Sequence, residues 1–515
     1  MSLPVSLALL CLILYLLISQ LWLSLEGLGE ASAVGRSSLG GRFFGLPYWP
    51  LVMAAAFMLV WLPVWLGSWP GTFYGDISQQ TLQFATRYFN GNFPLMHTLI
   101  MGGTVCVVQS LTGSLSAGVA VYVGLQMIYL ASVFTYSIVF LRRRGCPPAV
   151  MLAAWLLYAL SPVILLFCKD AVRDVLFSTT ALLFGVLLSE FLLSPESFFR
   201  SGLRVAALII SGFMTMSLRN AAPALIVCLA LLLCARALVL RKSFLGKMLL
   251  IFTAVIGLFT IWRVSSHSLL NVERQAESKE MLSVPIQQIS CIACYAEEDL
   301  TPIDRQMINE LFQYTDSPRE LFDYDNADYA KACFRNDVFS ASPAKYSAWW
   351  LSLCSRFPKL AVGSFLRLNL EAWYPNTVFA SYCTPPHEAF TMFDAVYYMP
   401  DGDHFGTADS RLPWLYDLQL RLSYGISFSK IPLVSMAFSP AFALYVLVLC
   451  AFYLKYRRRS AAAMPVVIAL LVQFATVFGP TVVLRYYLLT FMTVPYAVAL
   501  MLSPPPAAPS AAGSL

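Results

Sequence analysis

Acids, cations and one histidine stand at the ends of long apolar runs in this 515-residue chain. The first group is Pro70-Gly71-Thr72-Phe73-Tyr74-Gly75-Asp76, followed by Gln79-Gln80 and then Asn92-Phe93-Pro94-Leu95-Met96-His97-Thr98. Lys169-Asp170 with Arg173-Asp174, Arg219-Asn220 and Arg485-Tyr486-Tyr487 complete the set. A carboxylate such as Asp76 in this setting can take a proton, and Lys and Arg can hold an anion as its charge develops. Ionisable groups at membrane depth are costly, which makes them candidates for function. The plainer reading is an interfacial fringe of charge. On that reading Asp76 caps the helix after it, His97 is structural, and Asp170 and Asp174 neutralise Lys169 and Arg173.

These residues must be positioned by membrane helices. The chain is 58% hydrophobic and 12% charged, against roughly 25% charged in an average soluble protein. Its apolar runs are continuous and reach the roughly 20 residues that cross a bilayer as a helix, so they do not read as barrel strands. Spans are predicted at about 4–25, 48–68, 117–140, 149–167, 175–193, 204–217, 221–239, 244–264, 432–454, 463–483 and 486–502. The fold class is thus an all-α polytopic membrane protein with about eleven transmembrane helices. Arg36, Arg42, Arg142–Arg144, Arg200, Arg204, Arg236, Arg241, Lys242, Lys247, Lys455 and Arg457–Arg459 then fall on one side, which is cytoplasmic by the positive-inside rule. The amino terminus is expected outside and the carboxyl terminus inside. Residues 98–112 are too short for a span and would invert that pattern, so a re-entrant or juxtamembrane helix is expected there. Cleavage after Ala33 would also invert it, so residues 4–25 read as a retained helix rather than a signal peptide.

The expected organisation is an extra helix and cytoplasmic loop (1–47), a transmembrane core (48–264) with a first outer loop at 69–116, an extracytoplasmic insert (265–431), terminal helices (432–502) and a low-complexity tail (503–515). The insert holds 21 of the 28 acidic and 13 of the 34 basic residues, a local balance of −8. It reads as mainly helical and loop-rich. Residues 301–322 are expected as one capped helix, 344–373 as a helix in the headgroup interface and 375–413 as loop. Cys291-x-x-Cys294 has no second pair to complete a metal site, and disulfides among Cys291, Cys294, Cys333, Cys354 and Cys383 stay open. Basic clusters between apolar spans do not suit nucleic acid.

The first group resembles the first extracytoplasmic loop of the GT-C glycosyltransferases, polytopic enzymes that use lipid-phosphate sugars, such as protein O-mannosyltransferases and lipid A aminoarabinose transferases. There a span is followed by an acid, a juxtamembrane helix and a Pro-rich step into the membrane. Lys169-Asp170 with Arg173-Asp174 resembles the second acidic loop, and Arg219-Asn220 a polar turn of such proteins. Met281–Ile289, with Gln287-Gln288, looks like a segment of bacterial membrane proteins of this type, and Arg485-Tyr486-Tyr487 like their terminal motif. Two departures are plain. Asp76 is followed by Ile77 and Ser78 rather than a second acid, and the insert is unlike the β-rich domains some members carry.

The resemblance implies a GT-C-like fold and a glycosyltransferase at the outer face of a bacterial plasma membrane. The donor would be a polyprenyl-phosphate sugar, and the acceptor an envelope glycan, glycolipid or protein. Asp76 and Asp170 are the catalytic candidates. His97, Lys169, Arg173, Arg219, Asn220, Gln287, Gln288, Arg485 and Tyr486 are the substrate- and phosphate-binding candidates. A carboxylate pair such as Asp76 and Asp170 would hold a divalent ion only if the fold brings the two together. Competing readings are a lipid-linked-saccharide flippase or other transporter, an envelope polysaccharide polymerase or acyltransferase, and a sensor or scaffold built on the insert. A transporter predicts charges deep in the spans and paired half-repeats, neither of which is evident in the sequence.

Overall fold

A helix that is apolar on every face cannot present a wet surface, and it satisfies its own backbone polar groups, so it suits a hydrocarbon environment. The computed structural model describes residues 39–73, 75–273, 281–314, 317–375, 410–424 and 434–503. It is a helical, membrane-type architecture. Among the described residues the only β-pairing is isolated bridges.

Among the described residues seven helices are long and apolar enough to cross a membrane: Trp49–Gly67, Leu95–Thr112, Leu115–Arg143, Arg173–Leu193, Ala222–Val239, Leu245–Leu269 and Leu484–Leu502. Four shorter apolar helices accompany them, Pro148–Leu160, Gly202–Leu218, Pro440–Tyr456 and Ser460–Thr476. Arg173–Leu193 is the axis of the bundle, with 89% of its apolar window buried. By contrast Leu51, Leu59, Leu231, Leu250, Ile261 and Val264 point outward on the peripheral helices, an apolar exterior that lipid would cover.

The expected spans differ in detail. The first, 4–25, lies outside the described residues, as does most of the expected loop 375–413. The span 149–167 is broken into Pro148–Leu160 and Pro162–Phe167. Ser161 precedes a proline and is extended there, with ψ 122°, because proline disfavours a helical residue before it. The span expected at 432–454 is a Pro440–Tyr456 helix capped by Ser439, whose hydroxyl accepts from Phe442 N.

Leu95–Thr112 is long enough for a crossing, yet both its ends stay at one end of the bundle. Thr112 turns into Leu115 through Gly113, left-handed at φ 70°, and Ser114, which caps the next helix. At its other end His97 touches Tyr122, only ~10 Å along that same next helix. The helix opens with a π-turn at Thr98–Gly102. A Cβ on Gly118 would lie 2.5 Å from Val105 O, so the two helices meet at backbone distance only because residue 118 has no side chain.

The ends of the bundle differ in charge. Arg143 pairs with Glu190 at 3.0 Å, Arg142 lies over Trp49, Lys247 pairs with Glu196, and Arg459 donates to the carbonyls of Leu500 and Ser503. The opposite end holds Asp76, Lys169, Asp170, Asp174, Arg219 and Arg485.

The insert has a separate hydrophobic core containing Ile286, Ile289, Ile308, Leu311, Leu321 and Leu353. Its expected 301–322 helix stops at Leu311, and a separate 3-10 turn, Pro318–Leu321, follows. The start is as expected: Thr301 and Asp304 form a capping box with Pro302 in the first turn. The expected interfacial helix 344–373 is instead three helices, Pro343–Arg356, Pro358–Leu368 and Leu370–Trp373. Tyr346 and Trp349 are buried in the insert's core rather than presented to a headgroup layer. Arg356 clamps Asp304 at 2.8 and 2.5 Å, and Trp349 Nε1 donates to the same carboxylate at 2.9 Å. Cys291, Cys294, Cys333 and Cys354 are free thiols; Cys383 lies outside the described residues. The insert is fastened to the bundle where Ala327 N donates to Pro480 O at 2.8 Å and Thr481 Oγ1 donates to Asp325 O at 3.0 Å.

Candidate functional site

The site begins with a turn that only glycine can make. Gly71 has φ 142°, and a Cβ there would stand 2.7 Å from Val123 Cγ2 and 2.9 Å from Lys169 O. This close approach lets the first loop pair with the second: Thr72 N donates to Lys169 O at 3.0 Å, and Ala171 N to Thr72 O at 3.3 Å. Lys169 is fully buried, and its Nζ donates to Thr72 Oγ1 at 3.2 Å. Burial pulls the Lys169 ammonium below its ordinary pKa, and the Asp170 carboxylate opposes that pull. Asp170 is buried as well, and its Oδ1 accepts from Val172 N at 3.2 Å, just before the Arg173–Leu193 helix. Gln126 Nε2 donates to Asp170 O at 2.7 Å and fixes the loop from behind.

Asp76 lies in the first turn of the Gly75–Thr86 helix, where the helix dipole favours a carboxylate. One turn on, Gln80 Nε2 donates to Asp76 O at 3.2 Å. The Gln80 Oε1 is 2.7 Å from His97 Nδ1, and His97 Nε2 is 3.0 Å from Tyr122 OH. With the Gln80 amide nitrogen committed to Asp76 O, this assignment makes Nδ1 the protonated nitrogen and leaves Nε2 to accept from Tyr122. His97 is fully buried and both ring nitrogens are engaged. It positions the helix that carries Asp76 and does not line the face of the site.

Asp76 meets the last helix. Arg485 Nη2 donates to Asp76 Oδ2 at 3.2 Å. The Arg485 guanidinium also lies 5.5 Å from the centroid of Tyr486, and the Arg219 guanidinium lies 5.3 Å from that same ring. Arg219 in turn donates to Asp174 Oδ1 at 3.4 Å and lies 5.3 Å from the Phe177 ring. One ring therefore holds two cations, each tethered to its own carboxylate. Next to this belt is a small crevice of about 10 Å³, lined by Phe177, Thr215, Ala222, Leu225, Ile226 and Ile468 among others. Phe177 belongs to both.

The remaining candidates fall elsewhere. Arg173 lies over Phe93, 5.8 Å from its centroid, at the edge of the first loop. Asn220 is exposed in the turn after Arg219. Gln287 and Gln288 belong to the insert. Gln287 Nε2 donates to Asp323 O, while Gln288 bonds Ala361 O at 3.0 Å and accepts from Trp350 at 3.0 Å. Their contacts are within the insert's own fold. Among the described residues no group of three or more His, Cys, Asp or Glu side chains could hold a metal ion. Asp76 turns to Arg485 and Asp170 to its own backbone.

Tyr122 and Phe177 join the site without having stood out in the sequence. They are ordinary residues of apolar helices, and only contact gives them a role. Asp174, read as a counter-charge for its neighbour Arg173, pairs with Arg219 instead.

The model of a family described as a family of unknown function (DUF6020) matches residues 83–508. The match begins after Asp76 and takes in His97, Lys169, Asp174, Arg219 and Arg485. No curated protein and no solved structure matches the chain.

Proposed function

We propose that this chain, which belongs to the DUF6020 family, is a membrane glycosyltransferase that moves a sugar from a polyprenyl-phosphate donor to an envelope glycan, glycolipid or protein acceptor. The observation that carries the reading is the belt Asp76–Arg485–Tyr486–Arg219–Asp174 beside a small crevice. An amphiphilic phosphate needs cations for its head, and the belt supplies two of them beside apolar side chains such as Phe177.

In the proposed reaction the acceptor hydroxyl attacks the anomeric carbon. A carbon–oxygen bond forms to the acceptor while the bond to the phosphate oxygen breaks. The hydroxyl proton passes to Asp76, and the prenyl phosphate departs with the electron pair and its charge held by Arg485 and Arg219. Asp76 is about one-third exposed and so open to an incoming acceptor. Lys169, buried behind the loop, holds the loop in place rather than meeting substrate. The buried ion pairs of the bundle sit at its ends, which supports chemistry at one face over a transport path through the helices. The arginine-rich opposite end supports an outward-facing site in a bacterial plasma membrane, by the positive-inside rule.

The test is single-turnover transfer by the purified full chain in nanodiscs, using radiolabelled prenyl-phosphate sugars and detecting free prenyl phosphate. Wild type releases it, and Asp76→Asn slows release by about 10²-fold or more. Equal rates in the two proteins would remove Asp76 from the chemistry, and no release from any donor would remove the glycosyltransferase reading.

A further inference from the structure

One carboxylate oxygen beside Arg219 has no donor among the described residues. Asp174 is 2% exposed, and Oδ1 takes the hydrogen bond from Arg219. Oδ2 is buried and accepts no hydrogen bond from any described residue. Such an oxygen costs ~1–3 kcal/mol when left unmatched, and more when charged, so native proteins rarely carry one without a use.

Its position indicates that use. Asp174 opens the Arg173–Leu193 helix, and Phe177 follows one turn later on the same face. Phe177 both stacks on Arg219 and lines the crevice. A phosphate held by Arg219 therefore brings whatever it carries beside a guanidinium and an unmatched carboxylate oxygen. We propose that Asp174 Oδ2 is the acceptor for a hydroxyl on the head of a lipid-phosphate ligand, so that Arg219 binds the phosphate and Asp174 reads the sugar joined to it. A neutral donor suits this oxygen better than an ammonium, because Arg219 and Arg173 already bring positive charge to the site. This assignment rests on the lipid-phosphate reading above and adds the residue that distinguishes a glycosylated head from a bare one.

The experiment measures binding, not turnover, by the full chain in nanodiscs. The probes are farnesyl phosphate and a panel of its hexosyl and pentosyl phosphodiesters, titrated against wild type and Asp174→Asn. At least one glycosyl ester is expected to bind wild type about tenfold more tightly than farnesyl phosphate, the scale of one hydrogen bond to a charged group. Asp174→Asn should erase that preference, and its thermal melt beside wild type reports that the variant is folded. Deoxy versions of the preferred ester, tested on wild type alone, should lose the same factor at one hydroxyl position and so remove dependence on the variant's folding. If wild type binds the esters no better than farnesyl phosphate, or the variant keeps the preference, Asp174 does not read the sugar and the lipid-phosphate site stands without it. If wild type binds none of the probes, the lipid-phosphate reading fails and this inference fails with it.

Discussion

Arg485 and Asp76 are 409 positions apart in the chain, and Nη2 of one donates to Oδ2 of the other at 3.2 Å. The pair joins the first loop to the last helix and sets a cation directly beside the proposed base. Arg485→Lys retains charge but not the guanidinium's shape or its stacking on Tyr486. Its transfer rate is expected to fall about tenfold, on the scale of one weakened charged hydrogen bond. Arg485→Ala should fall much further. Rates that rank lysine and alanine together would show that the charge itself is dispensable.

Tyr486 serves two guanidinium groups through its ring and not its hydroxyl. Tyr486→Phe should therefore stay within about threefold of wild type. Tyr486→Leu should lose about tenfold in kcat/KM, since each contact is worth roughly 0.5–2 kcal/mol. Steady-state kinetics with one donor decides it, and a large loss in the phenylalanine variant would assign the hydroxyl a role of its own.

His97 is placed as a positioning residue, which separates two measurable effects. His97→Phe leaves Tyr122 OH unmatched in a buried place, at ~1–3 kcal/mol, and removes one of the two donors to Gln80 Oε1. The melting temperature of the detergent-solubilised protein should drop by several degrees. Turnover of the folded fraction should fall far less than in Asp76→Asn, and its pH profile should keep its shape. A lost limb of that profile would make His97 a proton carrier instead.

Gly71 and Gly113 both adopt positive φ but differ in their surroundings. Gly71→Ala must strain the backbone and also push on Val123 and Lys169 O, whereas the space around Gly113 is open. Gly113→Ala should cost about 1 kcal/mol, and Gly71→Ala clearly more, with loss of activity as the paired loops separate. Thermal melts of the two variants side by side give the comparison, and equal melts would show that the loop pairing tolerates a side chain.

Asp304 gives the insert a pH signature. Burial alone would raise its carboxyl, but hydrogen bonds from Arg356, Thr301 and Trp349 outweigh that and hold it well below the ordinary carboxylate range. A folded-state pKa below the unfolded one stabilises at neutral pH, and the contribution is lost as pH falls below the unfolded value, near 4. Asp304→Asn should therefore melt well below wild type at pH 7, and the gap should narrow steadily as pH falls below about 4. A gap that does not change with pH would mean packing, not charge, stabilises that corner.

The helical class and the two-ended charge pattern were legible because lipid imposes a crude rule: roughly 20 apolar residues, with cations on one flank. The breaks were harder. Ser161–Pro162 interrupts a run that hydropathy alone reads as continuous. Trp349 and Tyr346 sit among cations at helical spacing, a pattern shared by interfacial helices and by helices that pack into a small domain. In the site, Asp76, Lys169, Arg219 and Arg485 stood out because charge beside apolar sequence is expensive. Which charge meets which did not follow, since pairs such as Arg485–Asp76 and Arg219–Asp174 depend on contacts distant in the chain. Gln287 and Gln288 show the converse, a conspicuous polar pair whose bonds stay within its own fold.

The tether between the insert and the bundle has a practical corollary. Pro480 and Thr481, held by Ala327 and Asp325, stand only a few residues ahead of Arg485. The insert is thus not a module that can be trimmed away or exchanged for another domain while the helices carry on as before. Excision would release the short linker that sets where Arg485 begins its helix, so a deletion outside the bundle would reach the Asp76 pair through the main chain.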